Sequence, residues 1–208
     1  MHDPAPPPPT PAGPAAAAPE ARGTPDGDPT GWTALWQAML AAHAGPADGA
    51  DPAAGGLVHD PVTGWTWCAP EGDSLAPWFE LYKPLLDARH AQLTSGAGAW
   101  VIAQLGQSLD GCVATAGGDS YFVTGPQSLT HLHRLRALCD AVIVGAGTVA
   151  ADDPQLTTRR VPGPQPVRVV LDPRARLDGS ARVLRDGVAP TLWVCDADHA
   201  AAARARLA

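Results

Sequence analysis

Two glycines and a threonine directly follow a short apolar run near the middle of the chain. The run covers residues 141–144, and Gly145, Gly147 and Thr148 come immediately after it. A buried strand that ends in glycines can bring backbone N–H groups close to a charged ligand, because no Cβ atom stands in the way. These N–H groups and the Thr148 hydroxyl could therefore bind a phosphate or the polar edge of a ring. A sharp exit from a strand would need the same glycines, so the pattern by itself leaves both interpretations open.

The same stretch contains the letters of a dinucleotide-binding fingerprint, but its surroundings do not fit one. Residues 145–150 read Gly-Ala-Gly-Thr-Val-Ala, and Asp172 closes a later predicted strand. A Rossmann unit needs a crossover helix of at least about ten residues after the glycines. Here Pro154 follows within a few residues, and the Pro-rich loop 154–166 cannot continue a helix. The sequence therefore argues against a Rossmann fold, and a Walker phosphate loop is excluded because Gly-Lys-Ser/Thr does not occur.

Two carboxylates and two arginines after the glycines each allow a functional and a structural interpretation. Asp152 and Asp153 could act as acid and base groups or hydrogen-bond a ribose, although beside Pro154 they are also typical turn formers. Arg159 and Arg160 lie in a polar loop. Arginines in such loops are usually solvated, yet a loop arginine is well suited to bidentate contact with a phosphate.

A further chemical signal is an arginine on the apolar side of a predicted helix. Pro126 opens this helix, which is predicted over residues 127–139. Its apolar stripe consists of Leu129, Leu132, Leu135 and Cys139. At about 100° per residue Arg136 falls inside the stripe, whereas Arg134 falls on the other side. A buried guanidinium keeps its charge and needs an anionic partner. Arg136 is therefore expected either to pair with a structural carboxylate such as Asp110 or to face an anionic ligand.

Two histidines on the same helix look like a metal-binding pair at first sight. His131 and His133 are two residues apart. Residues at that spacing point in different directions on a helix, so metal binding is not expected there.

Composition narrows the class of protein. The chain has 208 residues and a formal net charge of −7, so no basic stripe is available for a nucleic acid partner. Its four cysteines are scattered singly, which predicts neither a zinc site nor a disulfide framework. No leader of basic and then apolar residues and no membrane-spanning apolar run occurs. We therefore expect a cytoplasmic protein with no membrane partner.

Three regions differ in composition along the chain. Residues 1–29 are dominated by Pro, Ala, Gly and Asp and are predicted to be a disordered tail. Residues 30–98 are predicted to form an accessory, tryptophan-containing layer with helices over 30–44 and 74–93 and a strand-like piece at 62–67. In residues 99–208 strands alternate with helices, which indicates an α/β class. The predicted strands are 100–105, 112–115, 121–124, 141–144, 167–171 and 191–195, with an Asp-Gly turn at 108–111 and a last helix from Asp196 or Asp198.

Residues from about 99 to 195 resemble the reductase domain of riboflavin biosynthesis, the RibD C-terminal family with a dihydrofolate-reductase-like fold. The matching pieces are QSLDG (107–111), GGDSYFVTGP (117–126), HRLRALCDAVIVGAGTVAADDPQLTTR (133–159) and PVRVVLD (166–172). The resemblance implies a mixed sheet flanked by helices, incomplete at the C-terminus. The zinc deaminase half of the bifunctional enzyme has no counterpart, because no His-x-Glu with a later Pro-Cys-x-x-Cys occurs.

The resemblance also implies an activity and a set of site residues. The reaction would be NADPH-dependent reduction of a phosphorylated pyrimidine, the 5-amino-6-(5-phosphoribosylamino)uracil type of substrate, with hydride passing to the ribose C1′. The cofactor-binding residues are then Gly106, Phe122, Thr148 and Asp152, beside Gly145 and Gly147 of the glycine turn. Substrate-binding residues are Ser120, Arg136, Leu156 and Arg159, with Arg159 taking the phosphate. The family more often has Trp where this chain has Phe122, so weaker stacking on the cofactor is expected.

One departure from the family pattern leads to an alternative. The family's domain continues beyond the length of this sequence, with a glycine-rich turn for the cofactor phosphates and a carboxylate for the substrate. We therefore expect either a fragment of a longer reductase or a truncated, catalytically incompetent fragment that acts at most as a nucleotide- or partner-binding module. An incomplete sheet would leave an exposed strand edge, and the chain alone is expected to oxidise little NADPH. A homodimer is expected from the resemblance alone.

Overall fold

The structure is a computed structural model that describes residues 29–45, 52–68, 75–117 and 124–207. The predicted disordered tail lies outside the described residues except for its last position. Helices are α1 (Pro29–Ala44), α2 (Ala76–Ser95), α3 (Pro126–Ala137), α4 (Ala146–Asp152), α5 (Arg182–Arg185) and α6 (Ala200–Leu207). Strands are β1 (Leu57–Asp60), β2 (Gly64–Trp67), β3 (Ala141–Gly145), β4 (Val167–Leu171) and β5 (Thr191–Val194). None of these helices has the length and apolar content that crossing a membrane would require.

The first of two layers, which we call the amino-terminal layer, consists of α1, α2 and the hairpin of β1 and β2. The prediction of a strand-like piece at 62–67 was incomplete, because that piece is one half of an antiparallel hairpin in which Leu57 pairs with Trp67. Apolar residues recur at helical spacing in α1 and α2, and they bury against one another because each helix has one apolar face. Pro84 lies inside α2.

The second layer is a parallel sheet with the strand order β3-β4-β5. Apart from Arg168 in β4, the three strands are largely apolar and rich in β-branched residues, which suits strands buried on at least one face. On one face Val144, Val170 and Trp193 lie in register and pack against α4 and α5. The opposite face carries exposed apolar side chains, among them Ile143 and Leu192. The α/β class predicted from the sequence is confirmed.

Two predicted strands are absent from the described residues. Residues 100–108 have no regular secondary structure, and residues 109–117 form turns and bends. Trp100, Val101 and Leu105 are 50%, 79% and 71% exposed. Strand propensity is a preference for packing beside a neighbouring strand, so the pattern at 100–105 and 112–115 could not by itself supply a partner. The Asp-Gly turn is confirmed by the N–H of Gly111, which donates to the Ser108 carbonyl at 2.9 Å. Most of the predicted strand 121–124 lies outside the described residues.

The residues after the glycines fold differently from the predicted turn. Gly145 ends β3, and the seven-residue helix α4 begins at the next residue. This helix is shorter than a Rossmann crossover, and it ends where Asp153 adopts a φ of 40° just before Pro154. The chain then returns through residues 153–166 to β4, parallel to β3.

The predicted orientation of α3 is wrong in one respect. Arg134 is only 2% exposed, whereas Leu129, Leu132 and Leu135 of the expected apolar stripe are half-buried. The helical-wheel argument placed Arg134 on the side away from the leucines and did not indicate that this side is covered. In the structure the amino-terminal layer covers that side of α3 with tryptophans, and the Arg134 guanidinium lies over Trp32. Long-range packing of a separate region therefore decided which arginine is buried.

Candidate functional site

The site is organised around Arg136, which projects from α3 towards a backbone carbonyl in the loop before β4. Its Nη1 donates to the Thr157 carbonyl at 3.1 Å, and its Nε is buried without a hydrogen-bond partner within the described residues. Asp110, the carboxylate considered as its partner, instead accepts a hydrogen bond from the Ser108 hydroxyl. Within the described parts of the chain Arg136 forms no ion pair with any carboxylate. No acidic neighbour among the residues that the structure describes therefore neutralises its charge.

A second arginine raises the positive potential at this point. Burial and, to a smaller extent, the nearby charge of Arg159 together lower the pKa of the Arg136 guanidinium to about 10. Arg159 Nη1 lies 3.4 Å from the Thr157 hydroxyl, so both guanidinium groups approach the same residue. Two cations held this close favour an anion between or beside them.

His133 is buried beside the two arginines and stays neutral. Its Nδ1 accepts the backbone N–H of Arg159 at 3.1 Å, which assigns the ring proton to Nε2. Burial lowers the pKa of His133 to about 3, and the charges of Arg136, Arg159 and Arg160 act in the same direction. His131 faces the other way and meets the Tyr82 hydroxyl at 2.9 Å. The predicted divergence of the two histidines is thus confirmed.

The loop between α4 and β4 is fixed along its length by side chains from other elements or by its own. Leu156 adopts a φ of 57°, a left-handed conformation that a leucine holds only when its surroundings impose it. Hydrogen bonds along the loop impose this conformation. The Asp153 carboxylate accepts the backbone N–H of Arg182, and the carbonyls of Gln155 and Thr157 accept from Arg168 and Arg136. The Gln165 side chain bonds both backbone groups of Thr158, and His133 accepts the N–H of Arg159. The loop therefore presents Arg159 from a preorganised backbone.

Sequence reasoning missed Arg168, which supports this loop from inside the sheet. It lies within the apolar run of β4 and is 1% exposed. Its Nη1 donates to the Asp186 carboxylate at 2.7 Å and to the Gln155 carbonyl at 3.1 Å, and its Nη2 donates to the Ala189 carbonyl. The signal that could have found it is the one that found Arg136, namely a permanent cation among apolar neighbours.

The glycine junction lies at the surface next to the arginine loop. Gly145, Gly147, Thr148 and Asp152 are all exposed. Neither glycine has a positive φ, and a Cβ atom built on either would meet no heavy atom within 4 Å. The described structure therefore gives no steric reason for glycine at these positions, which favours the ligand interpretation over the structural one. Leu156, buried in the same cluster as residues of α4, connects this junction to the arginine loop.

The comparisons with known proteins identify the family of this region. The family model of the RibD C-terminal domain matches residues 99–208. The chain belongs to the RibD C-terminal domain family. The amino-terminal layer lies outside the matched residues.

Relatives within the RibD C-terminal family share the matched region at moderate identity. The chain is 49% identical over 96 residues to the 2,5-diamino-6-ribosylamino-4(3H)-pyrimidinone 5′-phosphate reductase of Methanothermobacter thermautotrophicus, covering 45% of this chain and 44% of that protein. It is 46% identical over 89 residues to the riboflavin biosynthesis protein RibD of Aquifex aeolicus, covering 42% of this chain and 25% of the relative. The chain thus spans less than half the length of these relatives.

One solved structure is also similar in sequence. It is the diaminohydroxyphosphoribosylaminopyrimidine deaminase/5-amino-6-(5-phosphoribosylamino)uracil reductase of Thermotoga maritima, 36% identical, with a TM-score of 0.46. The match covers 54% of this chain and 32% of that one.

The other residues predicted from the RibD C-terminal resemblance are placed as follows. Gly106 lies against Thr124, since a Cβ atom on Gly106 would come within 2.7 Å of the Thr124 methyl group. The side chain of Leu156 is buried in the core rather than at the surface of the site. Ser120 and Phe122 lie outside the described residues. The structure therefore brings Arg136 and Arg159 together, and the roles of all these residues towards ligands stay predictions.

Proposed function

We propose that this chain carries the reductase chemistry of its family, namely NADPH-dependent reduction of a phosphoribosylaminopyrimidine of the 5-amino-6-(5-phosphoribosylamino)uracil type. In this reaction hydride passes to the ribose C1′. The observation that carries the proposal is the pair Arg136 of α3 and Arg159 of the strained loop, which approach each other at Thr157 within the residues that match the family. The Methanothermobacter thermautotrophicus relative is a reductase according to its name.

Arg136 and Arg159 would hold the phosphate of the substrate. A phosphate is doubly charged at neutral pH and accepts several hydrogen bonds, which suits two guanidinium groups better than one. The neighbouring His133 remains neutral with its ring proton on Nε2, so it could offer the phosphate a hydrogen-bond donor but adds no charge. Ser120 and the backbone at Leu156 would contact the rest of the substrate.

The exposed junction formed by Gly145, Gly147, Thr148 and Asp152 fits a nicotinamide nucleotide. The space above both glycines is open, so backbone N–H groups are accessible there, and a hydroxyl and a carboxylate lie on the same short helix. Gly106 and Phe122 complete the predicted set. NADPH would supply the hydride when bound, while these residues bind it and orient it towards the substrate.

The experiment that tests this function separates binding from turnover. Purified chain would be mixed with NADPH and the uracil substrate, with loss of reduced nicotinamide absorbance as the measure of turnover and calorimetry as the measure of binding. Turnover that falls in Arg136→Met and Arg159→Met, but not in a variant of the exposed Arg204, supports the proposal. Binding of both ligands without turnover favours the non-catalytic module, and binding of neither contradicts both functions.

A further inference from the structure

We propose that Arg134 is a positioning residue that couples the amino-terminal layer to the site. Its guanidinium, held between Trp32 and Trp78, fixes the rotation of α3 and so aims His133 and Arg136 at the loop before β4. We call Trp32, Trp78 and Arg134 the tryptophan clamp. Its effect on catalysis depends on the proposed function, whereas its effect on geometry does not.

The contacts of the clamp are close and shielded from water. The Arg134 guanidinium carbon lies 4.2 Å from the ring centroid of Trp32 and 5.2 Å from that of Trp78. The two indoles meet edge to face at 66°, and Arg134 is almost fully buried between them. A planar guanidinium stacked on aromatic faces has one favourable orientation, and desolvation strengthens the attraction. The clamp therefore restrains orientation as well as distance.

Tyr82 of α2 holds the same side of α3. Its hydroxyl lies 2.9 Å from His131 Nδ1, within hydrogen-bond distance. Burial raises the pKa of Tyr82, and the nearby charge of Arg134 acts in the opposite direction on that pKa. Because His131 and Arg134 are three residues apart, they lie on one face of the helix. The amino-terminal layer therefore contacts α3 through His131 and Arg134, which lie on the same face of the helix.

The residues of α3 that contact the candidate site lie on the side of the helix opposite to His131 and Arg134. His133 and Arg136 are also three residues apart, and both hydrogen-bond to the loop, at the Arg159 N–H and the Thr157 carbonyl. At 3.6 residues per turn, Arg134 and Arg136 project in directions about 160° apart. A rotation that frees Arg134 must therefore swing Arg136 and His133 away from the loop. Displacements of about 1 Å at a site can reduce a rate by about a hundredfold.

The test uses the titration of His133 in the full chain as a readout of geometry. The charges that lower the pKa of His133 are those of Arg136, Arg159 and Arg160, and burial has the largest effect. The charge of Arg134 is not among these causes, so a shift of this pKa in an Arg134 variant reports mainly a movement of α3. In Arg134→Leu we expect the pKa of His133, followed by nuclear magnetic resonance, to rise from about 3 by roughly one unit or more. His131, whose pKa the Arg134 charge lowers directly, serves as the internal check that the charge is gone.

Two further variants separate positioning from loss of stability. Leu86→Ala weakens the same core cluster without touching the clamp, so it should leave the pKa of His133 and kcat/KM unchanged. Trp78→Phe keeps an aromatic face and should shift the pKa of His133 less than Arg134→Leu does, which keeps the test usable if that variant does not fold. The proposal is overturned if His133 titrates as in wild type in both clamp variants, or if Leu86→Ala shifts it equally.

The kinetic readout distinguishes the two proposals. If the wild-type chain is active, Arg134→Leu should lower kcat/KM about tenfold or more, with Arg134→Lys recovering part of the loss because it keeps the charge but not the planar stacking. A wild-type chain that binds both ligands without turnover favours the non-catalytic module over the proposed function, and the His133 titration still decides whether Arg134 positions the helix.

Discussion

The imidazole of His133 accepts the backbone N–H of Arg159 at 3.1 Å and joins α3 to the loop before β4. This hydrogen bond requires an unprotonated Nδ1, so the contact exists only while His133 is neutral. Burial and the charges of three neighbouring arginines lower its pKa to about 3, so His133 is neutral at neutral pH. The placement of Arg159 is thereby linked to the protonation state of one histidine.

Stability should therefore fall in acid in a way that depends on His133. Its folded-state pKa of about 3 lies below the ordinary value of 6.5, so the neutral form is favoured in the folded protein. The stabilisation is complete above pH 6.5 and is lost progressively as the pH falls towards 3, by roughly 5 kcal/mol in all. Urea unfolding at a series of pH values should show a shallower decline for His133→Asn, which keeps an acceptor but cannot be protonated. Parallel declines in the two proteins would contradict the assignment.

Loss of Arg136 should weaken binding of a phosphorylated ligand far more than it weakens the fold. Removing a desolvated contact between arginine and phosphate costs about 2–4 kcal/mol, roughly 30- to 1,000-fold in affinity. Calorimetry with ribose 5-phosphate should show this loss in Arg136→Met. Replacing the exposed Arg204 in α6 removes the same charge elsewhere and should leave the affinity unchanged. Equal affinities in all three proteins would remove Arg136 from the site.

The sequence was sufficient where a residue's own neighbours along the chain decide its structure. β3 and β4 follow from β-branched apolar runs, and α1 and α2 from the helical spacing of their tryptophans and leucines. Arg136 was identified because its charge conflicts with its apolar side of the helix. These signals act over a few residues, so a single sequence contains them.

The sequence was insufficient where a distant region decides the outcome. Arg134 is buried because Trp32 and Trp78, from two other helices, cover it. Arg168 is neutralised by Asp186, eighteen residues away, and no local pattern indicates that pairing. Similarly, residues 100–105 have strand-like composition but no neighbouring strand within the described residues. Pairing, unlike propensity, is a property of the folded chain.

Breaking the buried ion pair of Arg168 and Asp186 should destabilise the protein strongly. Arg168→Met leaves a half-satisfied, largely buried carboxylate and releases the Gln155 carbonyl, which should cost about 3–5 kcal/mol. The double variant Arg168→Met, Asp186→Leu removes the uncompensated charge and should recover much of that loss. Chemical denaturation of the three proteins measures both effects. A double variant no more stable than the single one would indicate that the Gln155 contact, rather than the ion pair, dominates.

Gly147→Ala separates a structural glycine from a ligand-binding one. The position is helical and exposed, and an added methyl group would meet no heavy atom within 4 Å, so alanine should stabilise the fold by about 0.5–1 kcal/mol. If backbone N–H groups here approach a nucleotide, the same methyl group should weaken NADPH binding, measured by fluorescence titration. Ala150→Gly, at an exposed position of the same helix, should show the opposite stability change with unaltered NADPH affinity. A Gly147→Ala protein that is more stable and binds NADPH as wild type does would remove this junction from the cofactor site. Neither the packing nor the cofactor would then require a glycine at this position.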